Sequence, residues 1–331
     1  PWFGTGPRPV TEGDMAAWAE AHAPEHLALR RFRPEGLAAV PLEQSAPASS
    51  HEPVYGGLYV LRADRADTAA AVYAPAGFSP TRSRAVRLYG TVLLATRTHD
   101  LLVEPDAGAP DWHAPVCVDG LPPLAASLPE HGAPLPHRWI TTPSWDHLTL
   151  AWRVTAPGQG SAQVLRRIFL AKGRQPYLYI ADALCGELRD QGKNAHTPLV
   201  QRFVLGPHAA GRLALGLVPR QAVAQEGPAA AVPRLLAIRR DLPQPGLADL
   251  VWRPLAEGAA PANDEAVAIP DPAVERLSPV PPEGGGVVRL DLGNGHTDFL
   301  ASRPQAGSFD GTFGGRRIRL NGLLAVFRLG P

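Results

Sequence analysis

Gly57-Leu-Tyr-Val-Leu-Arg62 is where the chain declares its fold. Apolar and other residues alternate there with the period of two that puts successive side chains on opposite faces of a strand. Outward from it, toward the C-terminus, the same signal recurs at Ala69 to Tyr73, Ala85 to Tyr89, Thr91 to Ala95 and Asp100 to Glu104, with Arg97-Thr98-His99 as a turn. It continues at Leu148 to Thr155, Val164 to Lys172, Tyr177 to Leu184, Leu199 to Leu205 and Leu213 to Val218. Leu235 to Arg239, Val287 to Leu292 and Arg317 to Leu329 complete the series. Short strands punctuated by turns, with no helical periodicity between them, disfavour a βαβ architecture and point to an all-β antiparallel sandwich or barrel, the sandwich being the fold expected. The Pro/Ala/Glu-rich stretch 256–284 reads as a long surface loop or crossing. The glycines of Asp310-Gly-Thr-Phe-Gly-Gly315 read as hairpin turns.

Toward the N-terminus the pattern differs. Thr11 can cap a helix, with Asp14 three residues on, and Met15, Trp18 and Ala19 follow at helical spacing. Pro24 ends or restarts that helix. Residues 1–50 are therefore expected to be a short helical segment and linker, and residues 51–331 the β-sandwich domain.

Composition supports one large core and narrows the functions. With 45 % hydrophobic and 19 % charged residues the chain can bury a sizeable interior. The 37 prolines and 33 glycines are spread along it, as many turns require. Basic and acidic residues balance, 32 against 31, and no basic block or aromatic-basic interleaving marks a nucleic-acid surface. A near-neutral total still permits a local basic cleft for an acidic polysaccharide. No apolar run of about 18 residues is present to span a membrane as a helix. The chain starts at Pro1, which reads as a processed form or a fragment; a periplasmic or secreted location is expected, with the export signal outside this sequence. Cys117 and Cys185 sit in apolar runs and are either two buried thiols or a disulfide.

Nucleotide and hydrolase signatures are missing: there is no Walker loop, GxGxxG, CxxC, HExxH or GxSxG. Most of the 11 histidines stand alone in loop-like sequence, His208 and His296 among them. His113 differs. It precedes the apolar run Ala-Pro-Val-Cys-Val, nine residues after Glu104, which closes another apolar run before Pro105. An imidazole and a carboxylate at neighbouring strand ends can share a divalent ion, zinc or calcium.

The order of these phrases resembles the C-terminal β-sandwich of the heparinase II/III family of polysaccharide lyases. Gly57-Leu-Tyr-Val-Leu-Arg62 is similar to that family's opening strand. Leu101-Leu-Val-Glu-Pro-Asp106 looks like its Leu-Leu-Val-Asp-Pro-Gly, and His113-Ala-Pro-Val-Cys-Val-Asp-Gly120 like its His-Asn-Thr-Val-Val-Val-Asp-Gly. Val164-Leu-Arg-Arg-Ile-Phe-Leu-Ala-Lys-Gly173 with Tyr177-Leu-Tyr-Ile-Ala-Asp182 resembles Arg-Arg-x-x-Phe-x-Lys-Gly followed by Val-Val-Asp. The resemblance covers about residues 50–330. It implies β-elimination on an acidic, uronate-containing glycan, with Glu104 and His113 as metal ligands and a helical toroid domain as the missing partner of the sandwich. Ahead of Glu104, where the family carries His-x-His-x-Asp, this chain reads Arg82-Ser-Arg-Ala-Val-Arg-Leu-Tyr89. The catalytic His and one metal His have no counterpart. Arg84, Arg87 and Tyr89 become the candidate substrate-binding residues, since a guanidinium binds carboxylate or sulfate bidentately; on a strand, Arg84 and Arg87 face opposite sides, so one or both can equally be solvated. The expected function is a lyase domain with part of its catalytic apparatus gone. The alternative is a non-catalytic carbohydrate-binding or structural sandwich.

Overall fold

The computed structural model describes residues 58–63, 68–73, 90–96, 99–105, 115–118, 137–156, 160–173, 175–187, 196–209, 211–217, 223–226, 234–243, 245–255, 269–277, 286–293, 295–313 and 316–330. The helix expected over 11–32 and the strand expected over 85–89 lie outside these residues. So do Arg84, Arg87, Tyr89 and His113.

Nineteen strands are described. The first six are β1 (Leu58–Arg62), β2 (Thr68–Tyr73), β3 (Val92–Thr96), β4 (Asp100–Leu102), β5 (Val116–Val118) and β6 (His137–Thr141). Next are β7 (Trp145–Ala156), β8 (Gly160–Ala171), β9 (Tyr177–Glu187), β10 (Thr197–Leu205), β11 (Leu213–Gly216), β12 (Val223–Glu226) and β13 (Arg234–Leu242). The last are β14 (Gly246–Pro254), β15 (Ile269–Pro270), β16 (Val274–Leu277), β17 (Gly286–Gly293), β18 (His296–Phe313) and β19 (Arg316–Leu329). They form three sheets. Sheet A runs β1-β2-β3-β4-β10-β13-β12, with β5 also on β10. Sheet B runs β15-β11-β14-β9-β8-β7-β6, and sheet C runs β16-β17-β18-β19. Every pairing is antiparallel except β11 with β15. The all-β sandwich expected from the sequence is the fold found.

Sheet B is the middle layer. Its even-numbered side chains on β8 and β9, among them Val164, Ile168, Leu178 and Ile180, meet Leu61, Leu94, Phe203 and Ile238 of sheet A in the main core. Its odd-numbered ones, Phe169, Tyr177, Tyr179 and Ala181, pack on Val288, Leu290 and Leu300 of sheet C. Burying one such aliphatic side chain contributes about 1.5–3 kcal/mol. A strand covered on both faces reads as a continuous apolar run, and this is how β14 escaped the sequence reading: it is buried from Gly246 through Trp252 with no alternation.

Two other expectations need correcting. The stretch 256–284 is not loop throughout, because β15 and β16 lie within it. Asp310 to Phe313 is strand, the end of β18, and β19 begins at Arg316. β18 itself is 18 residues long and was unread, since Pro304 and Gly307 signal a break. The break is real but local: the register shifts between Ser302 and Gly307, and pairing with β19 resumes beyond it. β11 also stops earlier than expected, at Gly216, because Leu217 adopts φ 73° and leaves the sheet.

Candidate functional site

The sequence pointed to the segment from Leu101 to Gly120, and its two described ends meet on one edge of β10. Leu102 pairs with Leu205, and the next amide, Val103 N, bonds Val204 O at 2.9 Å. On the far side Arg202 N donates to Pro115 O at 2.8 Å, and Val116 pairs with Gln201. β4 and β5 thus follow one line along β10, interrupted between residues 105 and 115. Glu104, half-buried, stands at one lip of that interruption, and Pro115, two residues after His113, at the other. Antiparallel register alone produces this closeness. The approach of β4 to β10 is held by Gly206, where an added Cβ would lie 2.4 Å from the carbonyl oxygen of Asp100.

Among the described residues no three His, Cys, Asp or Glu side chains gather as a metal site. Cys117 is a free, buried thiol on the adjoining β5, and Arg202 Nη1 donates to its sulfur at 2.8 Å. Cys185 is free as well, its Sγ donating to Pro304 O at 3.1 Å, so the two cysteines are not bonded. Burial pushes the Cys185 thiol up, with Arg167 opposing it. Two histidines that sequence reasoning set apart come together: the His99 and His208 rings stand edge to face at 5.1 Å, at the opposite end of β4 from Glu104. Separate loops deliver them, so no local spacing could have joined them.

The phrase residues of β8 and β9 have a different part. Arg166 sits on the sheet A side of β8, fully buried. Its Nε and Nη2 bond both oxygens of Asp182 at 2.7 Å, and its Nη1 donates to Gly90 O at 2.7 Å. Gln201 Nε2 donates to the same carboxylate at 2.7 Å. Lys172 closes on buried Asp146 at 2.6 Å, beside a 2.6 Å bond from Thr141 Oγ1 to that carboxylate. Gly173 then turns with φ +114°, a conformation suited to glycine. The charged residues most recognisable in the sequence are therefore ion pairs within sheet B. Sheet A reaches their carboxylates through Gln201 Nε2 on Asp182 and the Arg62 amide on Asp146.

On the sheet C side Arg167 is equally buried but faces no carboxylate bond. Its Nη1 donates to Ser302 Oγ at 3.0 Å, Leu323 O at 3.1 Å and the Arg303 carbonyl, and its Nη2 to Pro304 O at 3.3 Å. Two of these acceptors, the Arg303 and Pro304 carbonyls, lie where the β18 register shifts, and Leu323 faces the same shift from β19. Burial lowers the pKa of this guanidinium; Tyr179, Cys185 and Asp182 act the other way. Beside it Tyr177 donates to Asp298 at 2.7 Å, where Arg328 also binds bidentately, and Tyr179 donates to Asp249 at 3.2 Å, which Arg276 holds in turn. Burial first, and the neighbouring Asp298 and Asp249 next, raise both phenols well above the ordinary tyrosine value. A phenol held so firmly protonated is a clamp, not a base.

No family model and no curated protein matches the sequence. Solved structures do show a likeness. One heparinase III gene product superposes over 96 % of this chain with TM-score 0.47 and 11 % identity, and another heparinase III over 94 % with TM-score 0.44 and 10 %. A chondroitin lyase that is a baculovirus envelope protein superposes over 86 % with TM-score 0.44 and 8 % identity. The chain spans 47 %, 48 % and 55 % of those three structures, about half the length of each.

Proposed function

We propose that this chain is the β-sandwich part of a polysaccharide lyase that acts on uronate-containing glycans. The observation that carries the reading is the register on β10. It draws together the ends of the two phrases most specific to the resemblance, Leu-Leu-Val-Glu and His-Ala-Pro-Val-Cys-Val, at neighbouring positions of one strand. Glu104 and His113 would hold a divalent cation, whose chemistry there is to fix the sandwich side of the cleft and add positive charge near a bound carboxylate. Elimination requires that the uronate carboxylate be neutralised, that a base take the α-proton, and that the 4-linked oxygen receive a proton as it leaves. Arg84 and Arg87 would supply guanidinium groups for the first requirement, and Tyr89 is the third candidate substrate-binding residue. The base and the proton donor are assigned to no residue of this chain, and a helical toroid domain is the expected source.

The test is the ultraviolet absorbance of unsaturated uronate when the purified protein is mixed with heparan sulfate, chondroitin, hyaluronan, alginate or pectin. Signal growth on one of them when a toroid domain is supplied is the expected outcome; no growth on any of them even then would overturn the reading. A second reading is favoured by the arginines standing where His-x-His-x-Asp would be: a glycan-binding sandwich without chemistry. It predicts retention on the same polymers with no absorbance change.

A further inference from the structure

At the junction of sheets B and C, away from β10, an open cleft of about 490 Å³ is lined by Gln175 between β8 and β9, Arg253 of β14, Pro272 and Ala273 before β16, Glu275 of β16 and the end of β17. Its floor is Arg253. That guanidinium is fixed by two bonds of 2.7 and 2.6 Å to Asp271, whose carboxylate is buried and also accepts from Ala273 N at 3.0 Å. The side chain cannot swing, and its charge is already compensated. Around it stand Gln175, Glu275, Arg289 and Asp291, all exposed, with Arg289 3.6 Å from Glu275. Pro272 and Leu292 add an apolar strip to the wall.

We infer that this cleft is a binding site for a neutral, polyhydroxylated ligand, a pyranose unit of a glycan. Lining charges decide the class. Arg253 and Arg289 are balanced by Glu275 and Asp291, and Asp271 adds one more negative charge beneath. A second anion gains nothing from such a surround, whereas vicinal hydroxyls can donate to a carboxylate and accept from a guanidinium at once. The apolar strip suits the carbon face of a sugar ring, and the rigid floor removes ordering cost from binding. None of these residues belongs to the β10 edge or to the elimination chemistry proposed above, so this site stands or falls independently of that reading.

The experiment is calorimetric titration of the full chain with neutral hexasaccharides (malto-, cello-, manno- and chito-oligomers), alongside a uronate-containing hexasaccharide. Arg289→Ala and Glu275→Ala serve as site variants, because both side chains are exposed, their mutual contact is a surface pair, and their thermal midpoints should stay near the parent's. Saturable binding of a neutral oligomer, weakened at least about tenfold in both variants, is expected. Three results overturn the inference: no saturable binding by any neutral oligomer, binding unchanged in both variants, or binding confined to the uronate oligomer.

Discussion

Arg166 and Arg167 are adjacent in the chain and opposite in the fold. Period two sends Arg166 into the A–B core and Arg167 into the B–C core. Arg166 meets a carboxylate in bidentate geometry, the arrangement in which a buried pair is most costly to break. Asp182→Ala should leave that guanidinium uncompensated and cost about 3–5 kcal/mol, read from urea unfolding. A loss below about 1 kcal/mol would show that the Gly90 carbonyl suffices to hold the arginine. For the proposed metal the residue to change is His113. His113→Ala should empty the purified protein of divalent metal and lower its unfolding midpoint, since an ion bound only by the folded state stabilises it. Parent protein free of metal by elemental analysis would remove Glu104 and His113 as a ligand pair.

β4 has only three residues: β3 pairs with it at Leu94 and Ala95, and on its other edge a single register pair and two flanking amides join it to β10. Gly206 permits that contact. Gly206→Ala would drive a Cβ into the Asp100 carbonyl, and overpacking of this kind costs about 1–3 kcal/mol. Hydrogen exchange should show the loss at Leu101 and Val103 before it appears in β8 or β9; uniform loss would mean that β4 is not a separate unit of stability. β18 is the opposite case, a long strand interrupted by Pro304. Arg167 collects the carbonyls left unpaired at the interruption, so the break does not end the strand.

Across the whole molecule, sheet B is sandwiched twice, and its attachment to sheet C depends on two buried tyrosines. Tyr177 and Tyr179 have folded-state pKa values raised above the unfolded value of about 10. A folded state that binds these protons more tightly keeps their full contribution below that pH. The contribution then declines as pH rises through about 10 toward the folded values. Stability should therefore fall above pH ~10, with sheet C gaining hydrogen exchange ahead of sheet A. In Tyr177→Phe the alkaline slope should be shallower than in the parent. An unchanged slope would assign the alkaline loss to other groups.

Alternation and turn residues were enough to establish an all-β antiparallel protein and to mark most strands of sheets A and B. Those signals are local, set by the pleat and by proline and glycine dihedrals. What escaped was whatever depended on a second covering layer or on distant partners. β14 lost its alternation because both its faces are buried. β18 was hidden by a proline that a buried arginine accommodates. The phrases around Glu104 and His113 were legible as words, but only pairing along β10 brings their described ends side by side. Arg166, Lys172 and Asp182 were legible as a phrase too, and only the core shows them to be ion pairs, since burial and partner geometry are properties of the packed layers. The cleft at Arg253 had no signature at all: Gln175, Arg253, Glu275 and Asp291 are far apart in sequence, and the stacking of sheet C on sheet B alone makes them neighbours.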